Sequence, residues 1–206
     1  MSRIVIFGAG GRAGRQAVAE AARRGHEVTA VVRDPAKHRA PDGVELVAGD
    51  VTDANSVASL VKDQDAVISA AAVYGAGTDP QAFFTSSGRA LAASGAARVI
   101  VVGLSSLAPD AAGRPLKDAP GFPAEFRPFI AAHAVGLDLL RASDLDWLYV
   151  SPAGDFDHEG DRTGSYRVAA AGDPEARVSY ADFAIALVDE ASNPRHRRQH
   201  LLITGA

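Results

Sequence analysis

Near the start of the chain, Gly8-Ala9-Gly10-Gly11-Arg12-Ala13-Gly14 sets glycines at positions 8, 11 and 14, directly after the apolar run Ile4–Phe7 and at the opening of a helical pattern. A strand that turns into a helix leaves backbone N–H groups unpaired and the positive end of the helix dipole beside them, an arrangement that suits a diphosphate. In this reading Gly8 permits the tight turn, Gly11 lets the diphosphate reach the main chain, and Gly14 lets the helix pack on the sheet. Gly10, Arg12 and Ala13 complete the cradle. The ligand this implies is a dinucleotide.

The end of the second strand, Val31-Val32-Arg33-Asp34, should choose between cofactors because the adenosine ribose lies against it. An acid about 20 residues beyond the glycine loop favours the free 2′-hydroxyl of NAD, and an arginine accommodates the 2′-phosphate of NADP. Both types are present. Arg33 follows the strand directly, and Arg12 could reach the same phosphate as a second cation, so NADP(H) is favoured over NAD(H). The bland alternative for Arg33 is a surface charge pairing with Asp34. Asp50 and Val51 follow the third strand, where the adenine should lie, although Asp50, Thr52 and Asp53 also precede a helix and compete for its cap, with Asp53 better placed. Ala70, Ala71 and Ala72 end the fourth strand, and their small side chains would let the backbone approach a ribose and diphosphate.

These segments sit in a regular alternation. Ile4–Phe7, Glu27–Val32, Val44–Val47, Ala66–Ser69, Arg98–Val102 and Trp147–Val150 read as strands, with helices near 12–24, 54–62, 80–94 and 126–143. Such a pattern implies βαβ units and a parallel sheet covered on both faces. Right-handed crossovers make it a doubly wound, Rossmann-like α/β fold whose ligand crevice lies outside the carboxyl ends of the strands. Residues 1–206 form one domain, in which 152–206 is a small substrate-side extension with a short strand at Ser165–Ala169, a helix at 180–192 and a last strand at His200–Thr204. Prolines 109, 115, 120 and 123 preclude a long helix across 104–125, which reads as a loop over the crevice. The basic run Arg195-His196-Arg197-Arg198 reads as a solvated turn.

Composition excludes further classes. The chain has 206 residues, 47% of them hydrophobic, with no cysteine, so disulfide frameworks, thiol catalysis and thiolate metal sites fall away and no metal site is assigned. With 21 basic against 25 acidic residues, nothing points to nucleic acid. No apolar run approaches the roughly 20 residues of a membrane span, and no signal peptide opens the chain, so a soluble cytoplasmic protein is expected. A small molecule is the expected partner, with self-association left open.

With those residues in hand, the chain resembles an atypical short-chain dehydrogenase/reductase of the NAD(P)H-binding group, which includes NADH-flavin-reductase-like, NmrA-like and biliverdin IX beta reductase-like proteins. The resemblance rests on Gly8–Gly14, Val32-Arg33-Asp34-Pro35, Gly49-Asp50-Val51-Thr52-Asp53, the run Leu140–Trp147 and Ser151-Pro152-Ala153. The runs Pro120–Phe126 and Arg162–Tyr166 are closer to the flavin-reductase branch. The family implies a nicotinamide near the ends of strands five and six, which places Pro152 among the cofactor contacts. It also exposes a departure. The Tyr-x-x-x-Lys pair that the wider superfamily uses for proton transfer is absent, and His133-Ala134-Val135-Gly136-Leu137 stands in its region. His133 could substitute as a general acid, and Ser105 or Ser106 could orient a carbonyl. Without a strong acid, hydride transfer to a flavin, quinone or similar planar acceptor is the easiest remaining chemistry. Phe83, Phe84, Phe122, Phe126, Phe156 and Tyr166 lie in segments expected to line its mouth. The alternatives are an NmrA-like redox sensor that binds NADP(H) without turnover, and an epimerase or isomerase.

Overall fold

The computed structural model describes residues 1–206. In chain order the elements are β1 (Arg3–Phe7), α1 (Arg12–Arg23), β2 (Glu27–Val32), β3 (Glu45–Ala48), α2 (Ala54–Val61), β4 (Ala66–Ser69), α3 (Pro80–Ala92), β5 (Val99–Val102), α4 (Arg127–Ala142), β6 (Trp147–Pro152), β7 (Asp155–Asp157), β8 (Tyr166–Ala169), β9 (Arg177–Ser179), α5 (Tyr180–Ser192) and β10 (Gln199–Gly205). The eight-stranded sheet runs β3-β2-β1-β4-β5-β6-β10-β8. Every pairing in it is parallel except β8 against β10. This is a doubly wound Rossmann-like sheet. The strand order reverses between β1 and β4, so a crevice opens at the carboxyl ends of those two strands.

The central strands are apolar on both faces because helices cover both. Ile4, Ile6, Ala30 and Val32 pack with Ala17, Val18 and Phe183 from α1 and α5. Val5, Phe7, Val31 and Val67 pack on the opposite side with Val57, Leu91 and Leu137 from α2, α3 and α4. Small residues let these layers close up: a Cβ on Gly88 of α3 would lie 3.2 Å from Gly136 Cα of α4.

Helix starts separate framework from site. Asp53 caps α2 by accepting from the amides of Asn55 and Ser56, Asp79 caps α3 ahead of Pro80, and Ser179 caps α5. Helix α1 has Gly11 at its N-cap and no side chain over its first turn. The amides of Arg12 and Ala13 find no acceptor within the chain, which leaves them open to water or a ligand.

Two regions differ from the sequence expectation. Segment 104–125 folds into short 3-10 turns at Ser105–Leu107 and Leu116–Asp118, with another at Ala124–Phe126 just beyond. It is fastened to the extension, since Leu116 is buried against Gly172 and the Gly172 amide donates to Pro109 O at 2.8 Å. The extension contains a second sheet, β7 paired with β9, beyond the one strand expected there. The basic run near the C-terminus is tied down: His196 meets Glu190, and Arg197 meets Asp146. Both carboxylates also hold the buried Arg98, at 2.9 and 3.0 Å respectively.

Candidate functional site

The glycine loop is shaped by contacts that only hydrogen side chains allow. Gly8 has φ +74°, and a Cβ there would fall 2.6 Å from Ala71 Cα. A Cβ on Gly14 would press into the carbonyl of Gly8, 2.7 Å from its carbon, so the start of α1 lies directly on the turn. Gly11 is different: its only near neighbour would be Gly8 O at 3.3 Å, and its open side faces the crevice. The loop closes through Gly11 N–H donating to Gly8 O at 2.9 Å.

A cleft of about 260 Å³ lies over this loop, lined by Phe7, Gly8, Gly10, Gly11, Val31, Val32, Arg33, His38, Gly49, Asp50, Val51, Ala70, Ala71, Ala72, Val73 and Phe83. Sequence-predicted residues from four separate turns, 8–11, 33, 50–51 and 70–72, thus meet in one place. Arg33 is exposed and forms no ion pair. Its neighbour Asp34 is occupied elsewhere, accepting from Ala36 N and pairing with Lys37 at 3.0 Å. Asp50 uses Oδ1 to accept from Thr52 N and Thr52 Oγ1 at 2.8 and 2.7 Å. Its other carboxylate oxygen has no partner in the chain.

Other predicted positions lie outside the cleft. The Arg12 guanidinium turns towards the extension, meeting His158 Nδ1 at 2.7 Å. Ala13 and Gly14 continue into α1. Pro152 ends β6, buried, in register with Ile203. Ser105 and Ser106 are half-buried in the turn after β5, and neither side chain makes a hydrogen bond. Of the aromatic residues, Phe83 reaches the cleft, Phe126 is exposed and Phe122 half-buried in the loop ahead of α4. Phe156 stacks on Tyr180 at 4.1 Å, and Tyr166 donates to Asp189 at 2.8 Å.

His133 is buried under Phe84, the ring centroids 3.7 Å apart, with Nδ1 3.3 Å from Tyr149 Oη. Burial drives its pKa down to about 3. Burial thus favours the neutral imidazole near pH 7. Tyr149 Oη accepts from Leu104 N at 3.1 Å, which ties β6 to the turn carrying Ser105 and Ser106; burial pushes this phenol up, away from ionisation. A cavity of about 20 Å³ beside His133 shares one lining residue with the cleft, Ala71. Sequence reasoning missed His38, whose ring lies across Gly10, a Cβ there falling 2.6 Å from its Nδ1. His38 sits on coil, where no periodic signal marks it.

A family model for NAD(P)H-binding proteins matches residues 8–194, from the glycine loop to the end of α5. The chain belongs to that NAD(P)H-binding family. It is 37% identical to YwnB of Bacillus subtilis, a protein without assigned function, over 98% of this chain and 97% of that one. Its fold matches a Streptococcus pneumoniae protein provisionally named an NADH-flavin reductase, with a TM-score of 0.84, 35% identity and 100% coverage of both chains. The anaerobillin reductase ChuY of Escherichia coli O157:H7 shares the fold alone, with a TM-score of 0.76 and 22% identity across 98% of this chain and 97% of that one. No helix is long and apolar enough to cross a membrane.

Proposed function

We propose that this member of the family is a cytoplasmic, NADPH-dependent reductase that passes hydride to a planar acceptor of the flavin or quinone type. The observation that carries the reading is the unpaired Arg33 at one end of a cleft whose other end is a glycine cradle with unused amides. The cradle fits a dinucleotide because a side chain on Gly11 would enter the space a diphosphate needs, and the start of α1 offers free N–H groups there. Arg33 would hold the 2′-phosphate, Asp50 and Val51 would bound the adenine, and Ala70, Ala71 and Ala72 would let the main chain approach the ribose and diphosphate.

Bound NADPH would supply a hydride, with the acceptor's proton drawn from solvent. The chain's task is then positioning and exclusion of water. That division suits a site in which the two places of the superfamily's acid/base pair are held by His133, kept neutral, and by Leu137, fully buried. The likeness to the streptococcal protein supports a flavin-like acceptor, and its name points to NADH, so the preference for NADPH rests on Arg33.

The test is oxidation of NADPH and of NADH, followed at 340 nm, against a panel of flavins, quinones and aldehydes. Turnover with flavin or quinone and a preference for NADPH is expected. Tight NADPH binding with silence across the panel would replace this reading with that of a redox sensor, which the missing acid/base pair also suits. Absence of binding would sink both. An epimerase would need the proton relay that His133 and Leu137 do not supply.

A further inference from the structure

On the α1 side of the sheet a second hollow, of about 720 Å³, lies behind the glycine loop. It exists because β2 and β3 are joined without a helix, the connection holding only the 3-10 turn Pro35–Lys37 and coil. On the opposite face Val31 and Val47 are covered by Val57 and Val61 of α2. On the α1 face Ala30, Val32 and Leu46 border the hollow, with Val18 of α1 beside them. Its rim is cationic: Arg15, Lys37 and Arg39 line it, and no acidic residue does. Lys37 pairs with Asp34 at 3.0 Å, whereas Arg15 and Arg39 have no carboxylate partner.

An apolar floor under two uncompensated guanidinium groups is complementary to one kind of molecule. We infer that this groove is a second binding site, adjoining the cofactor cleft along Gly10, Val32 and His38, for a small anion with an apolar body, such as an aromatic sulfonate or a carboxylate on a hydrocarbon frame. The anionic group pairs with Arg15 and Arg39, where bidentate geometry favours planar oxyanions. The apolar body lies on Ala19, Ala40, Pro41 and Leu46, above the buried Val18, Ala30 and Val32, and loses its contact with water. His38 walls both hollows, so an occupant bears on the ring that lies across Gly10.

The probe is 8-anilinonaphthalene-1-sulfonate, titrated by fluorescence against wild type, with uncharged N-phenyl-1-naphthylamine as its partner compound. The sulfonate is expected to bind at one site per chain, at least about tenfold more tightly than the neutral compound, and the double variant Arg15→Glu/Arg39→Glu to lose at least about tenfold in affinity. Gly11→Asp, which fills the cofactor cradle, should leave sulfonate binding unchanged. Equal binding of both compounds, no binding, or full affinity in the double variant would overturn the site. So would loss of the sulfonate in Gly11→Asp, which would place it in the cofactor cleft. Light scattering covers the remaining occupant: a wild-type dimer that the double variant converts to monomer would make the groove an interface between two copies.

Discussion

His133 packs against Phe84 with ring centroids 3.7 Å apart and planes tilted by 38°, and the same imidazole reaches Tyr149 with Nδ1. Burial disfavours the charged form of a histidine held this way, so near neutrality the imidazole has little protonated population to draw on. His133→Phe, which keeps a ring against Phe84, is accordingly expected to retain NADPH oxidation at pH 7 to within about threefold, a barrier change below ~1 kcal/mol. A hundredfold fall in kcat with intact folding would restore the residue to catalysis.

Stability should carry a signature of the same burial. His133 and His200 have folded pKa values lowered from 6.5 to about 3 and about 4, and desolvation is the first cause for each. The unfolded chain therefore binds more protons as pH falls below 6.5, and the fold weakens from there downward, by up to roughly 1.4 kcal/mol per pH unit for each group. Glu20, lowered from 4.5 to about 2 despite the desolvation that opposes it because Arg23 and Arg24 hold its charged form, adds its loss only below about 4.5. Urea midpoints measured between pH 6.5 and 4.5 should fall with acid, and His133→Phe should flatten the slope by about half of the two-histidine term. Parallel slopes in the two proteins would show that the imidazole is solvated.

The glycine loop separates two kinds of damage. Gly14→Ala drives a methyl group into Gly8 and must displace α1, an overpacking expected to cost ~1–3 kcal/mol in denaturant unfolding. Gly11→Ala meets only one atom, at 3.3 Å, so its stability should change by less than ~1 kcal/mol while NADPH titration shows weakened binding. Equal losses of stability in the two variants would refute this division.

Arg33→Ala removes the free guanidinium and nothing that braces the fold. NADPH affinity should drop about ten- to a hundredfold, as for loss of a charge-assisted contact, with NADH affinity nearly unchanged. If both cofactors weaken together, Arg33 reads something other than the 2′-phosphate.

Arg98 offers a structural control far from the cleft. Its buried guanidinium donates to Asp146, to both the side chain and the carbonyl of Glu190, and to His196 O. Arg98→Met leaves Glu190 without its buried countercharge and should cost about 3–5 kcal/mol by chemical denaturation. Arg98→Met combined with Glu190→Leu should recover much of that loss. A double variant worse than the single would mean that the backbone bonds at Glu190 and His196 dominate.

The sheet was legible in the chain because strands buried on both faces must be short apolar runs, and β2 and β4 match their expected limits to the residue. The cleft followed from topology, since residues after successive parallel strands are brought to one edge. The strands β7 and β9 were not legible: each spans three residues, and Asp155-Phe156-Asp157 has no run long enough to carry a period. The depth of His133 was not legible for a different reason. A histidine's type announces acid/base chemistry, but its depth depends on Phe84 and Tyr149, which come from other elements. The contact of Arg12 was likewise not legible, because its partner His158 lies 146 residues away.

The helix-free link between β2 and β3 has a consequence for how the protein can vary. The residues from Arg33 to His38, which reach the rim of the cleft, sit on a 3-10 turn and coil with no buried residue in either packed layer. Changes of length or charge there would leave the eight strands as they are. With Arg33 in the role proposed for it, nucleotide preference would be alterable by a few substitutions in a segment whose changes the core would scarcely register.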